Sequence, residues 1–268
     1  MKKNFCLFLM SYCFSFCYLL AAPPIESLPW VDGKDDEAHY YAVPYLSKEP
    51  VILEAGVCNG EDSLRFKKQW PKSIIYGFEA HPLHFLQAQA ATKNIAGIYL
   101  YPLALCDRVG TTTFYCSELK GEASSILADN KKNVENIFND PPEWLSYLDK
   151  PITVRCTTID HWAREMNVVQ IDYIWLDTEG AELQILSCAT DFLHEVRVIS
   201  TEVNFQEFRA GMTQFSQLYE FLTKQNFSLK YIWAHPKWQG VAMFVNNRFL
   251  AVPLNLSSPY LVPKPIKR

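Results

Sequence analysis

Carboxylates stand where the apolar runs of this sequence stop. Val51-Ile52-Leu53 ends on Glu54 and leads into Gly56-Val57-Cys58-Asn59-Gly60, and Ile74-Ile75-Tyr76-Gly77-Phe78 ends on Glu79. Leu103-Ala104-Leu105-Cys106 ends on Asp107, and Trp175-Leu176 ends on Asp177, followed by Thr178-Glu179-Gly180-Ala181-Glu182. A carboxylate about 20 residues beyond a glycine-bearing strand-helix turn can accept hydrogen bonds from a ribose diol. Gly56 and Gly60 would let that turn bend sharply and approach a ligand at the helix N-terminus. Asp107 could accept from an adenine amino group while its apolar neighbours cover the base. Any one of these acids alone reads more readily as a helix cap. Together at one edge of a parallel sheet they point to a ligand, because such sheets bind beyond the carboxyl ends of their strands.

The elements that would position these acids alternate. Short runs without polar interruption predict buried strands at Val51-Leu53, Ile74-Phe78, Gly97-Ala104, Tyr173-Leu176, Val196-Thr201, Phe227-Trp233 and Val241-Val245. Helical patterns fall near 62–70, 82–92, 159–166, 181–188 and 214–225. This alternation predicts an α/β fold with helices on both faces of a mostly parallel sheet. Thr111-Tyr115 and Thr153-Thr157 read as further extended segments. They enclose a polar, Pro-interrupted insertion over 117–150, long enough to serve as a substrate lid.

In order along the chain, ILEAGVCNGEDS, YGFEAHP, ALCDRVGTTTFY, SSIL, TTIDHW, IDYIWLDTEGAELQIL and STEVNF resemble the FkbM-type S-adenosylmethionine-dependent methyltransferases. The sharpest piece, LDTEGAE, is similar to the family's D-x-E-G-x-E turn. The resemblance implies a class I methyltransferase (Rossmann-like) fold, a seven-stranded sheet whose last strand is antiparallel, and methylation of a hydroxyl on a sugar or natural product. By position it implies that Glu54, Gly56, Asn59 and Gly60 hold the methionine end of S-adenosylmethionine. Glu79 would take the ribose hydroxyls and Asp107 the adenine amino group. Asp177, Glu179 and Glu202 would face the methyl and acceptor side, and Ser124 and Ser125 match a small-polar motif that lines the acceptor pocket or caps a turn. Asp177, Glu202 and His235 are the candidate bases for removing the acceptor's proton. Glu54 stands where the family more often has aspartate.

Composition narrows the alternatives. At 268 residues, 49% hydrophobic and with a formal net charge of −4, the chain suits one domain with a substantial core and offers no basic stripe for nucleic acid. The expected partner is a small-molecule or glycan acceptor. A dinucleotide oxidoreductase would want G-x-G-x-x-G, whereas the spacing here is G-x-x-x-G. Lys2-Lys3 ahead of the apolar run Phe5–Leu20 reads as a signal peptide or membrane anchor over 1–22, directing the rest into the secretory route. An arm over 23–49, the methyltransferase domain over 50–249 and a Pro-containing tail over 250–268 would follow. An export signal also suits a non-catalytic protein that keeps the cofactor fold, since S-adenosylmethionine is made in the cytosol. There is no C-x-x-C and no Cys/His ligand spacing, so neither a zinc site nor a disulfide framework is expected and no residue is assigned to a metal; Cys106 and Cys116 flank a possible hairpin and could meet.

Overall fold

A computed structural model describes residues 22–24, 27–31, 35–117, 123–137, 150–234 and 238–250. The leader up to residue 21, the tail from residue 251, two stretches of the insertion and the candidate base His235 lie outside the described residues. The strands in chain order are β1 (Val51–Ala55), β2 (Ile74–Phe78), β3 (Ile98–Tyr101), β4 (Ala104–Leu105), β5 (Gly110–Cys116), β6 (Lys150–Thr157), β7 (Tyr173–Leu176), β8 (Val198–Asn204), β9 (Phe227–Ala234) and β10 (Gln239–Asn246). The helices are α1 (Glu61–Gln69), α2 (Pro82–Thr92), α3 (Lys131–Ile137), α4 (Ile159–Glu165), α5 (Glu182–Leu186) and α6 (Phe215–Lys224).

A seven-stranded sheet runs in the order β3-β2-β1-β7-β8-β10-β9. Its neighbours pair in parallel except for β10, which is antiparallel to both β8 and β9. The order reverses between β1 and β7, and a crevice opens beyond the strand ends at such a switch point. Strands covered on both faces have no solvent side for a polar residue, which is why β7 and β8 are buried at every position.

One face packs Leu53, Ile174, Ile199 and Phe244 against Trp162 of α4, Ile185 of α5 and Leu218 of α6. The other packs Ile52, Ile75, Trp175 and Met243 against Phe66 of α1. That second face also receives a 3-10 helix over Asp35–Tyr45, which contributes Ala38, Ala42 and Val43. The segment falls inside the stretch read from sequence as an arm, and its small apolar side chains give it a place in the core.

The run read as one strand over Gly97-Ala104 divides. β3 stops at Tyr101, just before Pro102, which has no N–H for a ladder. Ala104–Leu105 then joins a separate three-stranded sheet, β4-β6-β5. There β5 is antiparallel to β6, and β4 lies parallel on the far side of β6. The hairpin that would have brought Cys106 to Cys116 therefore does not form, and both thiols are free.

Candidate active site

The turn after β1 is shaped by its neighbours as much as by any ligand. Gly56 has φ +86°, and a Cβ there would lie 1.8 Å from the carbonyl oxygen of Asp177. The amide of Asp177 donates to the carbonyl of Ala55 at 2.9 Å, so β1 and β7 stay in contact past their last paired residues only because position 56 has no side chain. Gly60, φ +91°, packs on Ala88 of α2 and opens α1. Asn59 caps the same helix, its Oδ1 accepting from the amide of Glu61 at 3.0 Å.

Cys58 has φ 51°, and its amide donates to Oε2 of Glu79 at 2.7 Å. Oε1 of Glu79 accepts from the amide of His81 at 2.6 Å. Burial pushes this carboxyl up to about 7, while the amide bonds from His81, Cys58 and Ala80 pull the other way. His81 also caps α2, and its ring stacks on His84 at 4.3 Å. Burial lowers the pKa of both imidazoles, which favours their neutral forms.

Beyond these strand ends lies a cavity of about 240 Å³. Its polar wall includes Gly56, Glu79, Ser124, Asp177 and Thr178, and its apolar wall includes Leu103, Leu105, Phe114 and Ile126. The small sheet and the described part of the insertion thus close the pocket over the main sheet. Glu54 does not line it: the side chain is fully buried and accepts from Oγ of Ser63, tying β1 to α1. Burial, then Asp62, raises the pKa of Glu54 well above the ordinary carboxylate range. Asp107 is also outside the cavity lining, half-exposed and ion-paired with Arg108 at 2.8 Å. Ser124 accepts from the amide of Ser117 at 3.0 Å. Ser125 turns to the site's backbone instead, donating to the carbonyl of Glu179 at 3.0 Å.

The second group of acids gathers after β7. Asp177, Glu179 and Glu202 each place one carboxylate oxygen within 4.8 Å of the others. Asp177 is exposed to the cavity, Glu179 is half-buried with φ 58°, and Glu202 is buried in β8. Sequence reasoning did not find the two residues that hold this turn. Oε1 of Glu182 accepts from the amide of Thr178 at 3.2 Å, its hydroxyl at 2.9 Å and the amide of Gly180 at 3.0 Å. Arg209 is buried and reaches Oε2 of Glu179 at 2.9 Å and the carbonyl of Ala123 in the insertion. Burial raises the pKa of Glu202 well above its usual range, reinforced by Glu179, Asp177 and Glu182 and opposed by Arg209. Glu182 is visible as the last acid of LDTEGAE, but its bracing role is a matter of geometry. Arg209 sits in a loop with no periodic pattern to mark it.

The cavity thus carries carboxylates of two kinds on its wall, Glu79 held by backbone amides and Asp177 in the acidic turn. Glu79 keeps acceptor capacity beyond its bonds to backbone amides, and apolar side chains line the same cavity. A family model for the methyltransferase FkbM domain matches residues 54–229. The 2-O-methyltransferase NoeI of Sinorhizobium fredii is 29% identical over 188 residues, which cover 69% of this chain and 76% of that protein. Methyltransferase 1 of Beauveria bassiana is 24% identical over 152 residues, 54% of this chain and 61% of that one. A crystal structure of an FkbM methyltransferase from Methylobacillus flagellatus has the same fold, with a TM-score of 0.55 and 11% identity; the match covers 80% of this chain and 48% of that one. The chain belongs to the FkbM methyltransferase family.

Proposed function

We propose that this FkbM methyltransferase uses S-adenosylmethionine to methylate a hydroxyl group on a sugar or natural-product-like small molecule. The observation that supports the reading most directly is one cavity lined by two carboxylates of different character, the amide-braced Glu79 and the exposed Asp177. When bound, S-adenosylmethionine supplies a sulfonium methyl group that is already activated. Glu79 accepts from the ribose hydroxyls, and Leu103, Leu105, Phe114 and Ile126 offer the adenine an apolar wall. Gly56 and the backbone of Asp177 keep the two strand ends together beneath it.

Asp177 then orients the acceptor hydroxyl and takes its proton as the oxygen bonds to the methyl carbon. Glu202 suits that role less, because burial favours its protonated form. The choice of oxygen as acceptor draws on the carboxylates at this edge and on the 2-O-methyltransferase named above. The proposed localisation is extracytoplasmic, through the apolar segment Phe5–Leu20. Fusion of residues 1–22 to a reporter checks it: retention of the reporter in the cytosol rejects the export reading.

Thermal unfolding with S-adenosylhomocysteine tests the cofactor. A ligand that binds only the folded chain raises Tm, and S-adenosylhomocysteine at about 1 mM should do so while NADH does not. Absence of any shift, together with no heat of binding, rejects the proposal.

A further inference from the structure

We propose that Asp177, Glu179 and Glu202 bind a hard divalent cation at the acceptor side of the cavity. Their oxygens all lie within 4.8 Å of one another. Bonds of about 2.0–2.1 Å to magnesium or 2.3–2.6 Å to calcium put ligands across one ion roughly 4 to 5 Å apart, so the group spans a single ion. The set contains carboxylate oxygen only, with no imidazole or thiolate, and this selects magnesium, manganese or calcium over softer metals.

An acidic cluster alone would carry little, but Glu202 adds an independent observation. Its side chain is only 6% exposed, it reaches into the cluster, and its Oε2 is buried without a hydrogen-bond partner. A carboxylate oxygen removed from water needs a proton or a cation in place of the lost hydration. Arg209 does not meet that need: the nitrogen that reaches the cluster is engaged by Glu179 at 2.9 Å and by the carbonyl of Ala123. Glu182, fully buried, brings a further carboxylate to the same turn, bonded to the amides of Thr178 and Gly180. Among the described residues, the Arg209 guanidinium thus serves Glu179 and a backbone carbonyl and gives no hydrogen bond to Glu202. Asp177 opens this group to the cavity, leaving the remaining coordination positions accessible to a small molecule.

Cation binding stands on this geometry; its role rests on the methyl-transfer reading. An acceptor hydroxyl that completes the coordination is held in place, and its proton becomes more acidic and passes to the Asp177 oxygen that does not ligate the ion.

Calorimetric titration of the full chain with magnesium, manganese and calcium chloride, each with and without S-adenosylhomocysteine, tests the site. Saturable binding of one ion per chain is expected for at least one of the three. Glu202→Gln should weaken it by about tenfold or more, with S-adenosylhomocysteine affinity retained. If that variant does not fold, Asp177→Asn, at an exposed position, serves the same comparison. No saturable binding of any of the three ions overturns the proposal, as does binding unchanged by these substitutions. S-adenosylhomocysteine is titrated separately, so its failure to bind rejects the methyltransferase reading while cation binding still supports the site.

Discussion

Glu79 and Glu202 are both buried carboxylates at the same edge of the sheet, and their surroundings treat them in opposite ways. Glu79 receives a backbone amide on each oxygen, at 2.6 and 2.7 Å, and its pKa rises only to about 7. Glu202 has an unpartnered oxygen and three other acids nearby, and its pKa rises well above the ordinary range. Backbone amides stay where the fold puts them, so the Glu79 side of the cavity is set before any ligand arrives. At the Glu202 side one buried oxygen has no hydrogen-bond donor among the described residues, and a proton or an occupant meets that need.

The largest effect should come from joining the two sides badly. Gly56→Ala puts a Cβ into the carbonyl of Asp177 and a side chain at φ +86°, and it should cost roughly 3 kcal/mol or more of stability. Chemical denaturation checks this; a parental midpoint would mean that the strand ends need not touch. Asp177→Asn should affect one side alone, lowering turnover by about 10²-fold while S-adenosylhomocysteine affinity stays near parental. Loss of affinity with turnover preserved would move Asp177 to the nucleoside side.

Glu79→Gln should do the reverse, weakening S-adenosylhomocysteine by about tenfold at pH 8 through the loss of charged acceptors for the ribose. The acidity of Glu79 gives this variant a second readout. Its folded pKa of about 7 lies above the ordinary 4.5, so its contribution to stability is full below about 4.5 and is lost as pH rises through 7. Nucleoside affinity has the opposite slope and should increase between about pH 6 and 8 as the carboxyl ionises. Both slopes should flatten in Glu79→Gln, as calorimetry between about pH 6 and 8 and denaturation between about pH 4.5 and 7 would reveal. The smallest change is expected from Ser125→Ala, about 1 kcal/mol of stability, because its hydroxyl joins the insertion to the Glu179 carbonyl at 3.0 Å.

The main sheet was readable because strands buried on both faces leave uninterrupted apolar runs. β2 and β7 begin and end where those runs do. The acids that end the runs were visible for the same reason. Their separate tasks were not: Glu54 is buried against Ser63 and Asp107 pairs with Arg108, whereas Glu79 and Asp177 line the pocket. Strand position tells where a backbone ends, but the direction of a side chain depends on what packs beside it. Arg209 and the 3-10 helix over Asp35–Tyr45 escaped notice because their contacts are with residues far away in sequence.

Just before that helix, Trp30 pairs in parallel with Ile232 on β9, the outermost strand of the sheet. The amide of Val31 donates to the carbonyl of Ile232 at 3.0 Å, and the amide of Ile232 donates to the carbonyl of Pro29 at 3.2 Å. A bare outer strand is a template for pairing with another molecule, and here the chain's own early residues occupy it. Shortening the protein to the first residue of β1 would therefore uncover backbone donors and acceptors along β9 as well as apolar surface beneath the 3-10 helix. Such a fragment should self-associate at concentrations where the longer chain stays dispersed, even with every residue of the cavity in place.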